Sequence, residues 1–137
     1  VVKKRDLNLR DVVNMAAMVE MEAVFSEEQP RIAGVFLKRV EIGMPIQSDT
    51  TIQYILGAQK ETITFKDTEI DNPYNTYQNY GLPPGPIGSP SLSAMKAVLE
   101  PEQTDYLYFV AQNDGHHRFS RTYAEHLRAI DEIYYGR

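Results

Sequence analysis

Glu20 places a carboxyl group where helical periodicity expects an apolar side chain. With residues 7–25, LNLRDVVNMAAMVEMEAVF, wound at about 100° per residue, Glu20 falls among Leu9, Val13, Ala16, Ala17, Ala23 and Val24. Glu22 points to the opposite side with Asp11, where a solvated acid is ordinary. An ionised carboxylate against a packed face is costly, and burial raises its pKa. A carboxyl group raised in this way can serve as a general acid near neutral pH. The structural alternative is a glutamate at the edge of the stripe, paired with a cation such as Arg39.

Other chemistries find less support. His116 and His117 are adjacent on an expected strand, so their rings point to opposite faces and do not share one ion easily. No HExxH spacing and no GxSxG elbow is present. Gly85-Pro86-Ile87-Gly88-Ser89 lacks the lysine of a phosphate loop, and its prolines remove donors. What remains is Glu20 beside NPYNTYQNYGLPPGPIGSPS, residues 72–91, with five Pro and three Gly in twenty positions. That density excludes a helix or a central strand. Unlike a plain linker it carries Tyr74, Tyr77, Tyr80, Leu82 and Ile87. Long loops of this kind are usually functional, and a Tyr/Asn/Gln-rich wall suits sugar, with rings against pyranose faces and amides on hydroxyls. The alternative is a loop whose rings only cover the core.

These residues need a frame to position them. The first helix is expected to start near Asp6 or Asn8 and to end in Ser26-Glu27-Glu28-Gln29. Pro30 opens a second helix, 30–42, with Ile32, Val35, Phe36, Arg39 and Val40 on one face and Gly43 as its stop. Asp49 caps a short helix, 50–56, closed by Gly57, and a turn with a short helix is expected around 65–70. Ser91 or Ser93 starts another helix through Leu99, terminated by Pro101. Residues 106–112 alternate as a strand, Asn113-Asp114-Gly115 turns, and His117–Ser120 returns. A last helix, about 122–135, would pack Tyr123, Leu127, Ile130, Ile133 and Tyr134. The expected fold is α+β: four to five helices around a small antiparallel hairpin, residues 1–137 forming one domain, with the long loop as a groove wall.

Composition bounds the function classes. The 137 residues are 42% hydrophobic and 24% charged, which suits one globular domain. A net charge of −5, with Lys3-Lys4-Arg5 as its basic cluster, argues against nucleic-acid binding. The absence of cysteine removes disulfides and thiol chemistry. No apolar run approaches the roughly 18 residues that would span a bilayer, and the start without Met reads as a piece of a longer protein.

Three segments carry a resemblance to a known family. VEMEAVFSEEQPRIAGVFLKRVEIGMPIQSDTTIQYILG, NPYNTYQNYGLPPGPIGSPSLSAMKAVLEP and YLYFVAQNDGHHRFSRTYAEH resemble, in the same order, the catalytic domain of the MltG (YceG-like) endolytic murein transglycosylases. The resemblance runs from about Val13 to His126. Met21 stands where the family usually has Lys, Ala23 where Thr is typical, and Ser48-Asp49-Thr50-Thr51 where Thr-Asp-Pro-Thr is frequent.

The resemblance implies cleavage of the β-1,4 bond between N-acetylmuramic acid and N-acetylglucosamine in peptidoglycan without water. The muramyl 6-hydroxyl attacks its own anomeric carbon and leaves a 1,6-anhydro end. One carboxylate suffices for this, where ordinary glycosidases need a spaced pair. Glu20 would protonate the departing oxygen and then take the proton from the 6-hydroxyl. Gln47, Asn75, Thr76 and Tyr77 are candidates to bind substrate, with Ser48 and Asp49 behind them, and His117 and Phe119 would line the groove from one strand face. No cofactor or metal is expected. The resemblance also implies a membrane helix and a LysM-like module ahead of this domain, a site of action outside the cytoplasmic membrane, and peptidoglycan synthases as neighbours. Two alternatives stay open: a weakly catalytic glycan-binding module, and a hydrolase pairing Glu20 with an acid such as Asp49.

Overall fold

The computed structural model describes residues 8–57 and 62–136. Five helices and one hairpin follow in chain order: α1 (Leu9–Glu22), α2 (Gln29–Glu41), α3 (Asp49–Leu56), α4 (Leu92–Leu99), β1 (Tyr108–Ala111), β2 (His117–Ser120) and α5 (Tyr123–Tyr135). The α+β expectation holds. Asn8 caps α1 by accepting from the Asp11 amide at 2.8 Å, while the Asp11 side chain returns to the Asn8 amide. Asp6, the other expected cap, lies outside the described residues. Ser48 rather than Asp49 is the cap residue of α3, and Ser91 caps α4 with its hydroxyl on the Ala94 amide. Gly57, at φ +72°, closes α3 in the left-handed conformation that favours glycine.

Helix α1 runs through the middle of the domain, against α2, α3 and α4. Asn14, Met15, Ala16, Ala17, Met18 and Val19 are all buried, so consecutive positions around the whole circumference are covered. Helix α2 is similarly enclosed from Ile32 to Leu37. It lies so close to the segment after α4 that a Cβ on Gly34 would meet the Glu102 carbonyl oxygen at 2.5 Å.

The hairpin pairs Phe109 with Phe119 and Ala111 with His117 in antiparallel register. Its inner face presents Phe109 edge-on to Phe36, at 5.8 Å between rings. Helix α5 packs on the hairpin. Its expected apolar face is largely uncovered: Tyr123, Leu127 and Tyr134 are exposed, and Ala129 is its one buried residue among those described. A helix lying on a two-stranded sheet has too narrow a neighbour to cover a whole stripe.

The long loop does two jobs. Tyr74, Leu82 and Ile87 pack on the core, as the covering alternative holds. Pro83 and Pro84 offer carbonyls that accept from the Asn14 amide and the Arg10 guanidinium of α1. Of the loop's rings, Tyr77 reaches the cavity described next.

Candidate active site

A cavity of about 370 Å³ opens between the C-terminal end of α1, the turn before α3, the hairpin and α5. Glu22, Arg39, Gln47, Asp49, Tyr77 and Tyr108 form its chemically active lining, with Ser48, Tyr123 and His126 beside them. A cavity of about 580 Å³ lies elsewhere, along α2 and the 102–106 segment. Its Arg31 and Glu102 are paired at 2.8 Å.

Glu22 is the last residue of α1, and the chain leaves helical geometry at Ala23. Its side chain is 19% exposed. Desolvation, reinforced by the nearby Asp49 charge, pushes its carboxyl pKa up to about 7. The negative end of the α1 dipole acts in the same direction. Asp49 accepts a hydrogen bond from the Tyr77 hydroxyl. Burial and that bond hold the phenol protonated far above its usual range.

Arg39 crosses the cavity wall. Its Nε donates to the Leu107 carbonyl at 2.7 Å, and Nη1 donates to Pro45 at 2.8 Å and Ile46 at 3.0 Å. Nη1 also reaches Gln47 Oε1 at 3.4 Å, and the guanidinium lies 5.2 Å from the Tyr108 ring centre. The arginine clamps the turn that presents Gln47. Gln47 adopts φ +55°, the one positive value among the described non-glycine residues. That conformation costs about 1 kcal/mol, and such strain clusters at functional sites. His126 stacks on Tyr108 at 5.1 Å, and burial together with Arg39 lowers its pKa.

Glu20 is elsewhere. Its Oε1 accepts from the Ser91 amide at 2.9 Å, at the N-terminal end of α4. The hydroxyl and amide of Ser91 hold its pKa below the ordinary value. The expected burial and raised pKa of Glu20 are therefore corrected, and its proposed partner Arg39 is engaged across the domain. Leu9 and Val24, which helped define its apolar stripe, are 67% and 70% exposed. The N-terminal end of α4 favours the charged form of Glu20, whereas Glu22 has the C-terminal end of α1 and the Asp49 charge against its charged form. Glu20→Gln should leave turnover within about threefold and lower stability by up to about 1 kcal/mol, the scale of a charge at a helix N-terminus. That loss should shrink as pH falls through the lowered folded pKa, since the carboxylate stabilises only when ionised. Urea melts at pH 3 and 7 with paired rate assays check it; a hundredfold rate loss would restore Glu20 as the acid.

The other expected binding residues separate into two groups. Gln47, Ser48, Asp49 and Tyr77 line the cavity. Asn75 and Thr76 are buried and occupied internally. Asn75 donates to the Thr68 and Ile70 carbonyls and accepts from the Tyr77 amide. Thr76 accepts from the Ser48 amide at 2.9 Å and bonds Thr51. His117 sits behind Glu22, with 3.8 Å from Nε2 to Glu22 Oε1. Phe119 packs on the core beside Phe109 and under Arg31, away from the lining of this cavity. Glu22, Arg39, Tyr108, Tyr123 and His126 are lining residues that sequence reasoning missed. From sequence the first helix is expected to run on to residues 26–29, so the position of Glu22 at the end of α1 is visible only in the structure. Among the described residues no group of three or more His, Asp or Glu side chains converges as a metal site would, and no helix is long and apolar enough to cross a membrane.

The model of the YceG-like family matches residues 2–132. The chain belongs to the YceG-like family. A relative from Bacillus subtilis (strain 168), described as an endolytic murein transglycosylase, is 42% identical over 130 residues, covering 95% of this chain and 36% of that protein. A protein of the same description from Streptococcus pneumoniae (strain D39) is 36% identical over 137 residues, covering 96% of this chain and 25% of that one. The chain thus spans about a third or less of the length of these two relatives. The crystal structure of a YceG-like protein from Listeria monocytogenes superposes with a TM-score of 0.87 at 42% identity, over 93% of this chain and 42% of that one.

Proposed function

We propose that this domain is an endolytic lytic transglycosylase of peptidoglycan, with Glu22 as its acid and then its base. The observation that carries the reading is a single carboxyl group raised to about 7 at the floor of a cavity walled by tyrosines and an amide. Its relatives described as endolytic murein transglycosylases supply the substrate class.

Protonated Glu22 donates to the glycosidic oxygen between N-acetylmuramic acid and N-acetylglucosamine as that bond breaks. Ionised, it then takes the proton of the muramyl 6-hydroxyl, whose oxygen closes on the anomeric carbon as a 1,6-anhydro ring. Glu22 ends as it began. The Asp49–Tyr77 pair supplies negative charge against the oxocarbenium-like centre. Gln47, held by Arg39, presents an amide to the N-acetyl group, and Tyr108 and Tyr123 offer faces for sugar rings. The full protein would act outside the cytoplasmic membrane, anchored ahead of this domain and working beside peptidoglycan synthases.

Asp49 favours a second reading, since a second acid in the same cavity could serve a hydrolase. Mass spectrometry of digested glycan strands separates the readings. Anhydro ends support the transglycosylase, reducing ends the hydrolase, and intact strands the binding module.

A further inference from the structure

We propose that Glu28 is a positioning residue that fixes the tautomer of His117, so that His117 Nε2 faces the carboxyl group of Glu22 as an acceptor. The proposal rests on the reading of Glu22 as the acid. Glu28 ends a single 3₁₀ turn, Ser26–Glu28, between α1 and α2, and His117 opens β2. They are 89 residues apart, and their side chains are 13% and 3% exposed. The Glu28 carboxylate receives the His117 amide at 3.0 and 3.1 Å and lies 2.8 Å from His117 Nδ1. Phe109 meets the imidazole edge-on, at 5.2 Å and 89°, which limits rotation of the ring.

The tautomer follows from the inventory of donors. An ionised carboxylate only accepts, so Nδ1 carries the hydrogen that points at Glu28. In a neutral imidazole the other nitrogen then has a free lone pair. That nitrogen, Nε2, is the atom 3.8 Å from Glu22 Oε1. The distance exceeds a hydrogen bond, and a small side-chain rotation closes it. Such contacts often tighten only with substrate bound.

A lone pair aimed at Glu22 favours the protonated carboxyl over the carboxylate. Glu28 therefore helps keep the acid loaded before the glycosidic bond breaks, without touching substrate. The opposite tautomer would present an N–H to Glu22 and favour its charged form. On the Glu22 side the cavity adds Asp49 on α3, Arg39 on α2, Tyr77 from the loop and His126 on α5. On the Glu28 side the charged neighbours are Arg31 on α2 and His116 beside β2.

Nitrogen-15 NMR of the histidine side chains tests the assignment in the unaltered protein, where His117 should carry its hydrogen on Nδ1. An Nε2–H tautomer there would overturn the proposal. In Glu28→Gln the amide can accept or donate, so the tautomers should mix. The Glu22 titration midpoint and the alkaline limb of kcat/KM should then fall together by about one pH unit, with KM within about twofold. Glu28→Asp, which keeps an acceptor-only carboxylate, should restore part of the shift. An activity loss with both the tautomer and the alkaline limb unmoved would reduce Glu28 to a clamp between hairpin and turn. The tautomer and the Glu22 titration are read without substrate, so they stand apart from the identity of the acid. Full activity in Glu22→Gln would overturn that identity, and with it the catalytic use of Glu28.

Discussion

Glu22→Gln should lower glycan cleavage by at least ~10²-fold, the scale of losing a general acid–base group, while the domain stays folded. The amide keeps the shape of the side chain and cannot release or take the proton. Stability should move the other way. Between the ~4.3 of a free glutamate and the folded value of about 7, the folded state holds a proton that the unfolded state has lost. Rising pH through that window therefore favours unfolding, by up to about 4 kcal/mol across the whole of it. Above the folded value the penalty is complete and constant. Gln removes it, so the variant should gain on the wild type from pH 4.5 to 7.5 and hold that gain beyond. Other carboxylates slope oppositely, which is why the difference between the two proteins is the quantity to follow. Chemical denaturation at half-unit pH steps, with carboxyl NMR for the titration itself, measures it. A constant difference over that range would mark Glu22 as an ordinary surface acid.

Asn75→Ala should cost about 3 kcal/mol of stability and lower Tm by roughly 10 °C. Asn75 has no exposed surface, and its amide binds three backbone groups, two in the turn before the loop and one in the loop itself. Alanine would orphan the Ile70 carbonyl and the Tyr77 amide, and would leave the Thr68 carbonyl with the Gln78 side-chain amide, at 2.9 Å, as its remaining side-chain donor. Buried polar groups left unpaired cost about 1–3 kcal/mol each, and partial relaxation keeps the total below the sum. Asp should fare no better, because a carboxylate cannot donate to two carbonyls. Any fall in activity should follow the fraction folded, with little further loss well below the new Tm. Calorimetry beside rate assays at two temperatures decides it. A large rate loss with an unchanged Tm would return Asn75 to the substrate-binding set.

Local chemistry wrote much of this fold plainly into the sequence. Asn8 and Ser91 begin helices because their short polar side chains pair with free amides. Gly43 and Gly57 end helices in a backbone region costly to other residues. Asn113-Asp114-Gly115 turns the hairpin, and the ordered motifs of residues 13–126 carried the family. These signals act over a few residues, so a linear reading reaches them. The choice between Glu20 and Glu22 was out of that reach. A helical wheel can be phased only when one side of a helix meets water, and α1 is enclosed on all sides from Asn14 to Val19. With no wet side as reference, the stripe carried no information about which glutamate faced what. Residues distant in sequence decided it: Ser91 meets Glu20 across 71 positions, while Asp49 and His117 come to Glu22 from other elements. The same limit hid the burial of Asn75 and Thr76, whose polarity looked like a binding surface. A residue type declares what it can bond to, and only the packed chain decides whether its partner is a sugar or its own backbone.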